Sequence, residues 1–576
     1  MTELALTVDQ GTSSASVGVP GDADWWRRAV IYEVYPRSFA DGDGDGVGDL
    51  AGLRSRLPYL ADLGVDAIWL TPWYRSPMAD GGYDVADYRA IDPVFGTLAD
   101  AELLIAEAAA LGIRTIVDVV PNHVSDQHEW FQAALASPPG SPERDRFWFR
   151  PGKGEHGDEM PTAWRSPFSG PTWTRTTNPD GTLGEWYLHL FTAAQPDVNW
   201  DHPDVRAEHE AILRFWFDRG VAGIRIDSAA LLVKDPTLPE EPEAPAPGEH
   251  PNTDRDELHD IYRSWRSIAD GYPGTRILIG ELWLPEVERF ARYLRPDELH
   301  TAFNFDFMAR PWDAGALRAS IDTTLAAHAP VSAPATWLLS NHDVTRPVTR
   351  YGRADSSFAF LAKRRGTPSD LELGNRRARA AALLCAALPG SLYIYQGDEL
   401  GLEEVQDLPE HQLEDPMYHR SGGVDPGRDG CRVPLPWSGT EAPFGFSPAG
   451  ATAETWLRQP DSWTALTVEA QHDDPGSMLS LYRASLRIRR DDQDLHTESM
   501  RWLDAPEGVL AFARGSRFVA ITNLSPDAVA LPADGELLLA SAELEDGRLP
   551  SDASAWIRLH DDSLARGAGW PTREAG

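Results

Sequence analysis

Residues 100–120 read DAELLIAEAAALGIRTIVDVV and join two structural elements with almost no loop between them. Apolar residues recur at helical spacing from Asp100 to Leu111, and the run Thr115–Val120 follows directly. Except for Asp118, this run is apolar or β-branched, which is typical of a strand buried on both faces of a parallel sheet. The stretch therefore predicts a helix packed against a parallel sheet.

The same alternation of helix and strand patterns extends along the chain in both directions. Eight strand-like runs between helical patterns predict an α/β fold closed into a (β/α)8 barrel, the TIM barrel. Because polar residues follow nearly every run, the carboxyl ends of the strands would carry one ring of functional side chains. The runs are Ala29–Tyr35, Ala67–Leu70, Thr115–Val120, Ala222–Ile226, Arg276–Gly280, Thr301–Phe305, Thr336–Leu339 and Ser391–Tyr395.

Three segments fall outside the barrel pattern, which is assigned to residues 24–121 and 203–497. Residues 1–23 are rich in small and acidic residues and predict a mobile N-terminal arm. The interval 122–202 is too long for one crossover and predicts an inserted lobe after the third strand. Short alternating segments from 498 to 576 predict a C-terminal antiparallel β-sandwich domain.

Composition excludes several classes of function. The chain has 576 residues, with 52 basic and 89 acidic side chains and a net charge of −37, so nucleic acid would be repelled. No apolar run approaches the roughly 18 residues of a membrane helix. The N-terminus lacks the pattern of a secretory signal, and two cysteines cannot build a disulfide framework. We therefore expect a cytoplasmic protein without nucleic-acid or membrane partners, and no oligomeric state is predicted.

Acidic residues at three strand ends are the candidates for chemistry. In Gly223-Ile224-Arg225-Ile226-Asp227, the arginine and the aspartate point to the same side of a strand, where the guanidinium would keep the carboxylate ionised. The alternative is an ion pair that only braces the barrel. Glu281 follows the next strand, and two carboxyls at neighbouring tips can approach the ~5–5.5 Å separation of a retaining glycosidase. Asp343, in Ser340-Asn341-His342-Asp343, adds a third acid.

Several short motifs in fixed order carry a family resemblance that spans the chain from about Trp25. They resemble the conserved regions of the α-amylase family of glycoside hydrolases, family 13, and within it the α-glucosidase and oligo-1,6-glucosidase group. The motifs are Asp118–His123, Gln195–Trp200, Gly223–Asp227, Gly280–Trp283, Asn341–Asp343 and Gly397–Gly401.

The resemblance implies a role for each matching residue. Asp227 would be the nucleophile, Glu281 the general acid and base, and Asp343 the residue that binds the sugar's 2- and 3-hydroxyls in the transition state. Asp118 would be structural. The substrate-binding residues implied are Tyr83, Asp84 and Arg420, which would hold the non-reducing glucose, His123, Arg225 and His342, which would hydrogen-bond it or the nucleophile, and Ser228.

The implied activity is that of a retaining exo-acting α-glucosidase on small α-glucosides such as maltose and short oligosaccharides, with transglucosylation as a side activity. In this group the residue after the nucleophile contacts the next sugar, and Ser228 leans toward α-1,4 bonds or broad action. The alternatives are an oligo-1,6-glucosidase, or a transglucosidase or isomerase acting on sucrose, trehalose or a glucosylated small molecule. A non-catalytic transporter partner is disfavoured, because all three carboxylates are present.

A second motif, Asp41-Gly42-Asp43-Gly44-Asp45-Gly46-Val47-Gly48-Asp49, predicts a cation site. Carboxylates of Asp41, Asp43, Asp45 and Asp49, with the Val47 carbonyl, can converge on a hard cation. The twelfth position is Gly52 rather than Glu, which argues against an EF-hand. The resemblance implies one structural Ca²⁺ or Mg²⁺ here, the alternative being a solvated acidic turn. No organic cofactor is expected.

Overall fold

A computed structural model of the protein describes residues 23–178, 180–358 and 366–560. The predicted N-terminal arm lies outside these ranges except for Ala23, as do residues 561–576 of the predicted C-terminal domain.

Eight parallel strands form the central sheet, in the order β6-β5-β4-β3-β2-β1-β8-β7. All the residues of β1, β2, β4 and β5 are buried, because one face of each strand packs inside the barrel and the other under helices. The predicted (β/α)8 barrel is confirmed. The strands are β1 (Val30–Val34), β2 (Ala67–Leu70), β3 (Arg114–Val119), β4 (Gly223–Ile226), β5 (Ile277–Gly280), β6 (Thr301–Ala302), β7 (Thr336–Trp337) and β8 (Ser391–Tyr395).

A side chain joins β6 to β7, where no backbone pairing closes the sheet. The Thr336 hydroxyl donates to the Ala302 carbonyl at 2.6 Å and accepts from the Asn304 N–H at 3.1 Å. The predicted strand Thr301–Phe305 is wrong beyond Ala302, because the Asn304 side chain accepts from the Phe307 N–H and starts a helix at Phe305. β7 likewise ends at Trp337, two residues before the predicted end.

Helices surround the barrel, and among the described residues none is both long and apolar enough to cross a bilayer. The helical pattern near Leu50 to Leu63 forms two helices divided at Arg56, because Pro58 has no N–H to continue the hydrogen-bond ladder. The helices are Leu50–Ser55, Leu57–Leu63, Leu98–Ala110, Glu129–Ala136, Pro142–Asp145, Pro203–Asp218, Leu258–Asp270, Val287–Arg292, Phe305–Ala309, Ala314–His328, Pro347–Tyr351, Leu371–Ala387, Pro416–Arg420, Val468–His472 and Met478–Asp491.

The interval between β3 and β4 contains its own three-stranded antiparallel sheet, formed by Phe149–Arg150, Leu183–Leu188 and Trp173–Thr177. A short antiparallel bridge between His123 and Asp197 ties this segment back to the end of β3. The inserted segment therefore lies beside the carboxyl ends of the barrel strands.

The C-terminal strands form antiparallel sheets, as predicted. Phe512, Phe518 and Trp556 join the main core on one face of the larger sheet, and the Trp556 indole donates to the Leu383 carbonyl of helix Leu371–Ala387 at 3.2 Å. Alternate residues such as Ile521 pack on the other face with the two-stranded pair. The larger sheet has the order Met500–Trp502, Val509–Arg514, Phe518–Asn523, Ala553–Leu559 and Gly535–Ala540, and the pair is Val529–Ala530 with Arg548–Leu549.

Candidate active site

A cavity of about 590 Å³ opens at the carboxyl ends of the barrel strands. Asp227 comes directly after β4, Glu281 directly after β5, and Asp343 six residues after β7. All three carboxylates line this one cavity. The structure thus brings together the three acids that the sequence separates by more than a hundred positions.

Arg225 connects the first two of these carboxylates. Its guanidinium donates to Asp227 Oδ1 at 2.9 Å and to Glu281 Oε2 at 2.6 Å. It also donates to both oxygens of Asp118, at 2.9 and 3.0 Å. Arg225 is fully buried beneath the cavity and does not line it, so it acts on the carboxylates and not directly on a bound sugar.

Glu281 is oriented by two further donors. The Ser228 N–H donates to Oε2 and the Trp283 indole donates to Oε1, each at 3.0 Å. Ser228 has a φ of +47°, in the left-handed region that non-glycine residues rarely adopt. This turn directs the backbone N–H of the residue after Asp227 toward the second acid, so that the two carboxyls are positioned by one short segment.

The buried surroundings of Asp227 act against its ionisation. Burial raises the pKa of Asp227 well above its ordinary value, and the Glu281 carboxylate raises it further. Arg225 opposes both effects, because its positive charge stabilises the ionised form. The pKa of Asp227 therefore lies above that of an exposed aspartate, even with Arg225 in contact.

Asp343 has a different electrostatic environment. Its Oδ1 accepts from Arg428 and from Arg432, both at 3.1 Å. Burial alone would raise the pKa of Asp343, but its positively charged surroundings, which include these two arginines, lower the pKa well below its usual range. Asp343 is therefore ionised at neutral pH.

Two of the three residues predicted to hold the glucose, Asp84 and Arg420, do not line the cavity. Asp84 is fully buried and its carboxylate accepts the backbone N–H groups of Ala79 and Asp80, at 2.9 and 3.0 Å. Arg420 donates to the backbone carbonyls of the inserted segment at Ser169 and Pro171. Both side chains brace loops, since their polar groups are used by the backbone.

Asp80 and Arg428 line the cavity, whereas Asp84 and Arg420 do not. The Asp80 carboxylate accepts from Arg428 at 2.5 Å, and both residues line the cavity beside Asp343. The sequence carried a signal for each of them. Asp80 lies three residues before Tyr83 in the same motif. Arg428 and Arg432 are two arginines that stand four positions apart, after the last strand.

We expect Asp80→Asn to lower kcat/KM by about 100-fold, equivalent to ~2.7 kcal/mol, because a charged contact to the sugar would be lost. Asp84→Asn should keep kcat/KM within about threefold and should instead lower Tm, since one backbone hydrogen bond worth about 1 kcal/mol is lost. Steady-state kinetics and thermal melting of both variants check this. The opposite order of effects on kcat/KM would contradict the placement of Asp80.

The remaining predicted residues surround the same space. Tyr83, His123, Ser228 and His342 all line the cavity. The Tyr83 ring lies parallel to the His342 ring, with centroids 5.3 Å apart, and its hydroxyl donates to Asp118 at 3.0 Å. Burial lowers the pKa of His123 to about 4, so its imidazole is neutral at pH 7. These residues offer uncharged polar groups and a ring beside the three acids.

Two buried contacts of cavity residues, one of His342 and one of Asp80, were not anticipated from the sequence. The His342 Nδ1 lies 2.5 Å from Glu33 Oε1, and Gln195 donates to Asp80 at 3.0 Å. Glu33 lies within β1, where its sequence context is that of a strand and gives no hint of a polar contact. Both contacts join segments that are far apart in the chain, so only the folded structure reveals them.

The outer part of the cavity has one apolar and one polar side. Phe168, Phe191 and Met417 supply apolar surface, while the loop after β4, which is rich in Pro and Glu, contributes Glu241 and Asn252. The Asn252 amide donates to Glu241 at 3.0 Å. This two-sided arrangement suits a ring with an apolar face and hydroxyls at its edge.

The predicted cation loop brings three acids together. Asp41, Asp43 and Asp49 each place a carboxylate oxygen within 4.8 Å of the other two. Asp45 lies outside this group, and its carboxylate accepts from the Val47 N–H at 2.8 Å. Burial raises the pKa of Asp49, and the carboxylates of Asp43 and Asp41 raise it further. These oxygens fit a hard cation such as Ca²⁺, whose charge would offset the repulsion.

Comparisons with known proteins agree with one another. The family model described as the catalytic domain of α-amylase matches residues 33–498. A probable α-glucosidase of Rhizobium meliloti is 33% identical over 91% of this chain and 93% of its own length. An oligo-1,6-glucosidase of Parageobacillus thermoglucosidasius is 34% identical over 81% and 84%. The solved trehalulose synthase of Pseudomonas mesoacidophila aligns with a TM-score of 0.79 and 32% identity, over 94% of this chain and 100% of that one.

Proposed function

Because this chain belongs to the α-amylase family of glycoside hydrolases and is a glucosidase or transglucosidase of that family, we propose that it is a retaining exo-α-glucosidase. It would release glucose from the non-reducing end of maltose and short α-1,4 oligosaccharides. The observation that carries this proposal is the pair Asp227 and Glu281, held by one buried guanidinium in one cavity with an ionised Asp343.

The reaction proceeds in two displacements, each supported by a contact described above. The Asp227 carboxylate attacks the anomeric carbon while the proton of the pair passes from Glu281 to the glycosidic oxygen, and the aglycone leaves. Glu281, now ionised, takes a proton from water, which attacks the ester and releases glucose with the α configuration retained. Arg225 holds the charge of whichever carboxyl is ionised.

Asp343 acts without exchanging a proton. Its negative charge, held between Arg428 and Arg432, accepts hydrogen bonds from sugar hydroxyls, and these strengthen as positive charge develops on the ring. Asp80, fixed by the same Arg428, would bind the outer hydroxyls of the terminal glucose. Two charged groups at this position favour the end of a chain over its interior, which supports exo action.

A time course of maltose cleavage followed by proton NMR tests the proposal. We expect α-glucose to appear first from the non-reducing unit, together with minor transfer products, because acceptor sugars compete with water for the ester. Isomaltose should be cleaved with a lower kcat/KM than maltose, because Ser228 follows the proposed nucleophile at a position that contacts the next sugar and favours α-1,4 bonds. First appearance of β-glucose would contradict retention, and a preference for isomaltose would contradict the α-1,4 assignment.

Conversion of sucrose is the second candidate activity. It is favoured by the similarity to a trehalulose synthase and to an α-glucosyl transfer enzyme whose structure aligns with a TM-score of 0.80 and 33% identity. In that reaction the released fructose, rather than water, would attack the glucosyl ester. The same NMR experiment with sucrose separates the two, because an isomerase forms a new disaccharide whereas a hydrolase yields free glucose and fructose.

We also propose that the loop from Asp41 to Asp49 binds one structural Ca²⁺ or Mg²⁺. Asp41, Asp43 and Asp49 would supply carboxylate oxygens, and the ion would hold the loop that leads from β1 to the helix Leu50–Ser55. The ion would contribute to stability and would not touch the substrate.

Removal of the metal by EDTA should lower Tm by several degrees, and added Ca²⁺ should restore it, because an ion that binds only the folded state stabilises that state. Asp43→Ala should abolish this response, whereas Asp201→Ala, which removes an exposed carboxylate elsewhere, should keep it. A Tm that EDTA leaves unchanged in the wild-type protein would contradict the metal site.

A further inference from the structure

The face of the barrel opposite the active site has a second cavity, of about 220 Å³. It lies at the amino ends of the strands, where Val30 begins β1, Asp66 precedes β2 and Arg114 begins β3. The mechanism uses none of its residues, because the catalytic side chains follow the opposite ends of the strands. We call it the basic cavity, after the side chains described next.

The charge of the basic cavity is opposite to that of the protein as a whole. Its lining includes four arginines and His496 but only one carboxylate, Asp66, whereas the chain has 52 basic and 89 acidic residues. A local excess of guanidinium groups in a concave site raises the local concentration of small anions. The arginines are Arg28, Arg114, Arg489 and Arg490.

Arg489 has a buried positive charge without a carboxylate partner in direct contact. The side chain is nearly inaccessible, and its terminal nitrogens donate to backbone carbonyls, including those of Ala386 and Leu388. Its Nε has no hydrogen-bond partner within the part of the chain that the structure describes. Burial lowers the pKa of Arg489 to about 10, an effect that Asp66 opposes and Arg28 strengthens. Neutral carbonyls orient this guanidinium, and the Asp66 carboxylate compensates its charge only in part and without direct contact.

Neighbouring contacts hold the rest of the cavity in shape. The Arg114 guanidinium lies 4.6 Å from the centre of the Trp25 ring, which fixes its direction. The Asp66 carboxylate accepts from the Val30 N–H at 2.8 Å, so that part of its hydrogen-bonding capacity is used by the backbone. The site is therefore largely formed before any ligand arrives.

We propose that the basic cavity binds a small phosphate-bearing anion, either inorganic phosphate or the phosphate group of a small sugar phosphate. Guanidinium forks match the oxygens of phosphate better than they match a spherical anion such as chloride. The volume of about 220 Å³ is below the roughly 300–1,000 Å³ of ordinary ligand sites, which favours a phosphate group or a small sugar phosphate over the larger nucleotides. Phosphate would neutralise the excess charge around Arg489.

Thermal melting and calorimetric titration of the full chain with inorganic phosphate test this proposal. We expect Tm to rise saturably with phosphate, relative to sodium chloride at equal ionic strength. In the double variant Arg28→Gln/Arg490→Gln, the phosphate concentration needed for half the effect should rise at least tenfold. Both residues are exposed at the rim, so the variant should fold. The matched control Arg376→Gln/Arg487→Gln removes two exposed charges that do not line the cavity and should behave as wild type.

A glucose 6-phosphate titration distinguishes the two sources of the anion. Affinity tenfold above that for phosphate would assign the sugar phosphate, and equal affinity would assign inorganic phosphate. A Tm that follows ionic strength alone, or a response that the Arg28→Gln/Arg490→Gln variant retains in full, would overturn the proposal. Since the measurement is of binding, its outcome does not depend on which glucoside the enzyme cleaves.

Discussion

Asp227→Asn is expected to abolish turnover of maltose, with a loss in kcat of at least about 10³-fold, or ~4 kcal/mol. An amide has the same shape as a carboxylate but lacks the negative charge needed to attack the anomeric carbon. The amide oxygen can still accept from Arg225, whose donor atom lies 2.9 Å from Asp227 Oδ1. The fold should therefore persist, with Tm within a few degrees of wild type.

Steady-state kinetics with maltose and thermal melting, made on the same preparation, check this result. The Asp84→Asn variant serves as the control, because it makes the same chemical change at a carboxylate that braces a loop. Residual activity of the Asp227→Asn variant above about 1% would contradict the assignment of the nucleophile, as would a collapse in Tm that explains the loss by unfolding.

Glu281→Gln is expected to separate the two steps of the reaction. Glutamine can accept the bonds from Ser228 and Trp283 in part, but it has no proton to give to the leaving oxygen. Cleavage of maltose should fall by about 10³-fold, because a sugar alkoxide leaves poorly without protonation. An activated phenol needs less help, so formation of the ester from 4-nitrophenyl α-glucoside should fall far less.

Pre-steady-state measurement with 4-nitrophenyl α-glucoside distinguishes formation of the ester from its hydrolysis. The variant should release a burst of nitrophenol close to one equivalent and then turn over slowly, because Glu281 is also needed to activate water. Azide, which attacks the β-glucosyl ester without a base and displaces the Asp227 carboxylate with inversion, should restore the later rate and yield an α-glucosyl azide. Equal losses with maltose and the nitrophenyl glucoside, without a burst, would show that Glu281 is not the acid.

Much of the barrel and the place of two of the cavity carboxylates could be predicted from the sequence. Strand patterns are local, because a run of apolar β-branched residues must be buried wherever the chain goes. Asp227 and Glu281 stand one residue after such runs, and in a closed parallel barrel all strand ends of one kind meet on one face. The boundary at β6 escaped prediction, since Asn304 starts a helix inside an apolar stretch that reads equally well as strand.

By itself the sequence determined the barrel, the order of its strands and the acids at their tips, since each depends on short-range pattern. Only the tertiary structure decided which loop residues reach the cavity: Asp80 rather than Asp84, and Arg428 rather than Arg420. Asp80 and Arg428 are 348 residues apart in the chain and meet at 2.5 Å. Loop side chains have no periodicity that fixes their direction, so backbone hydrogen bonds and packing between distant segments select which charges meet.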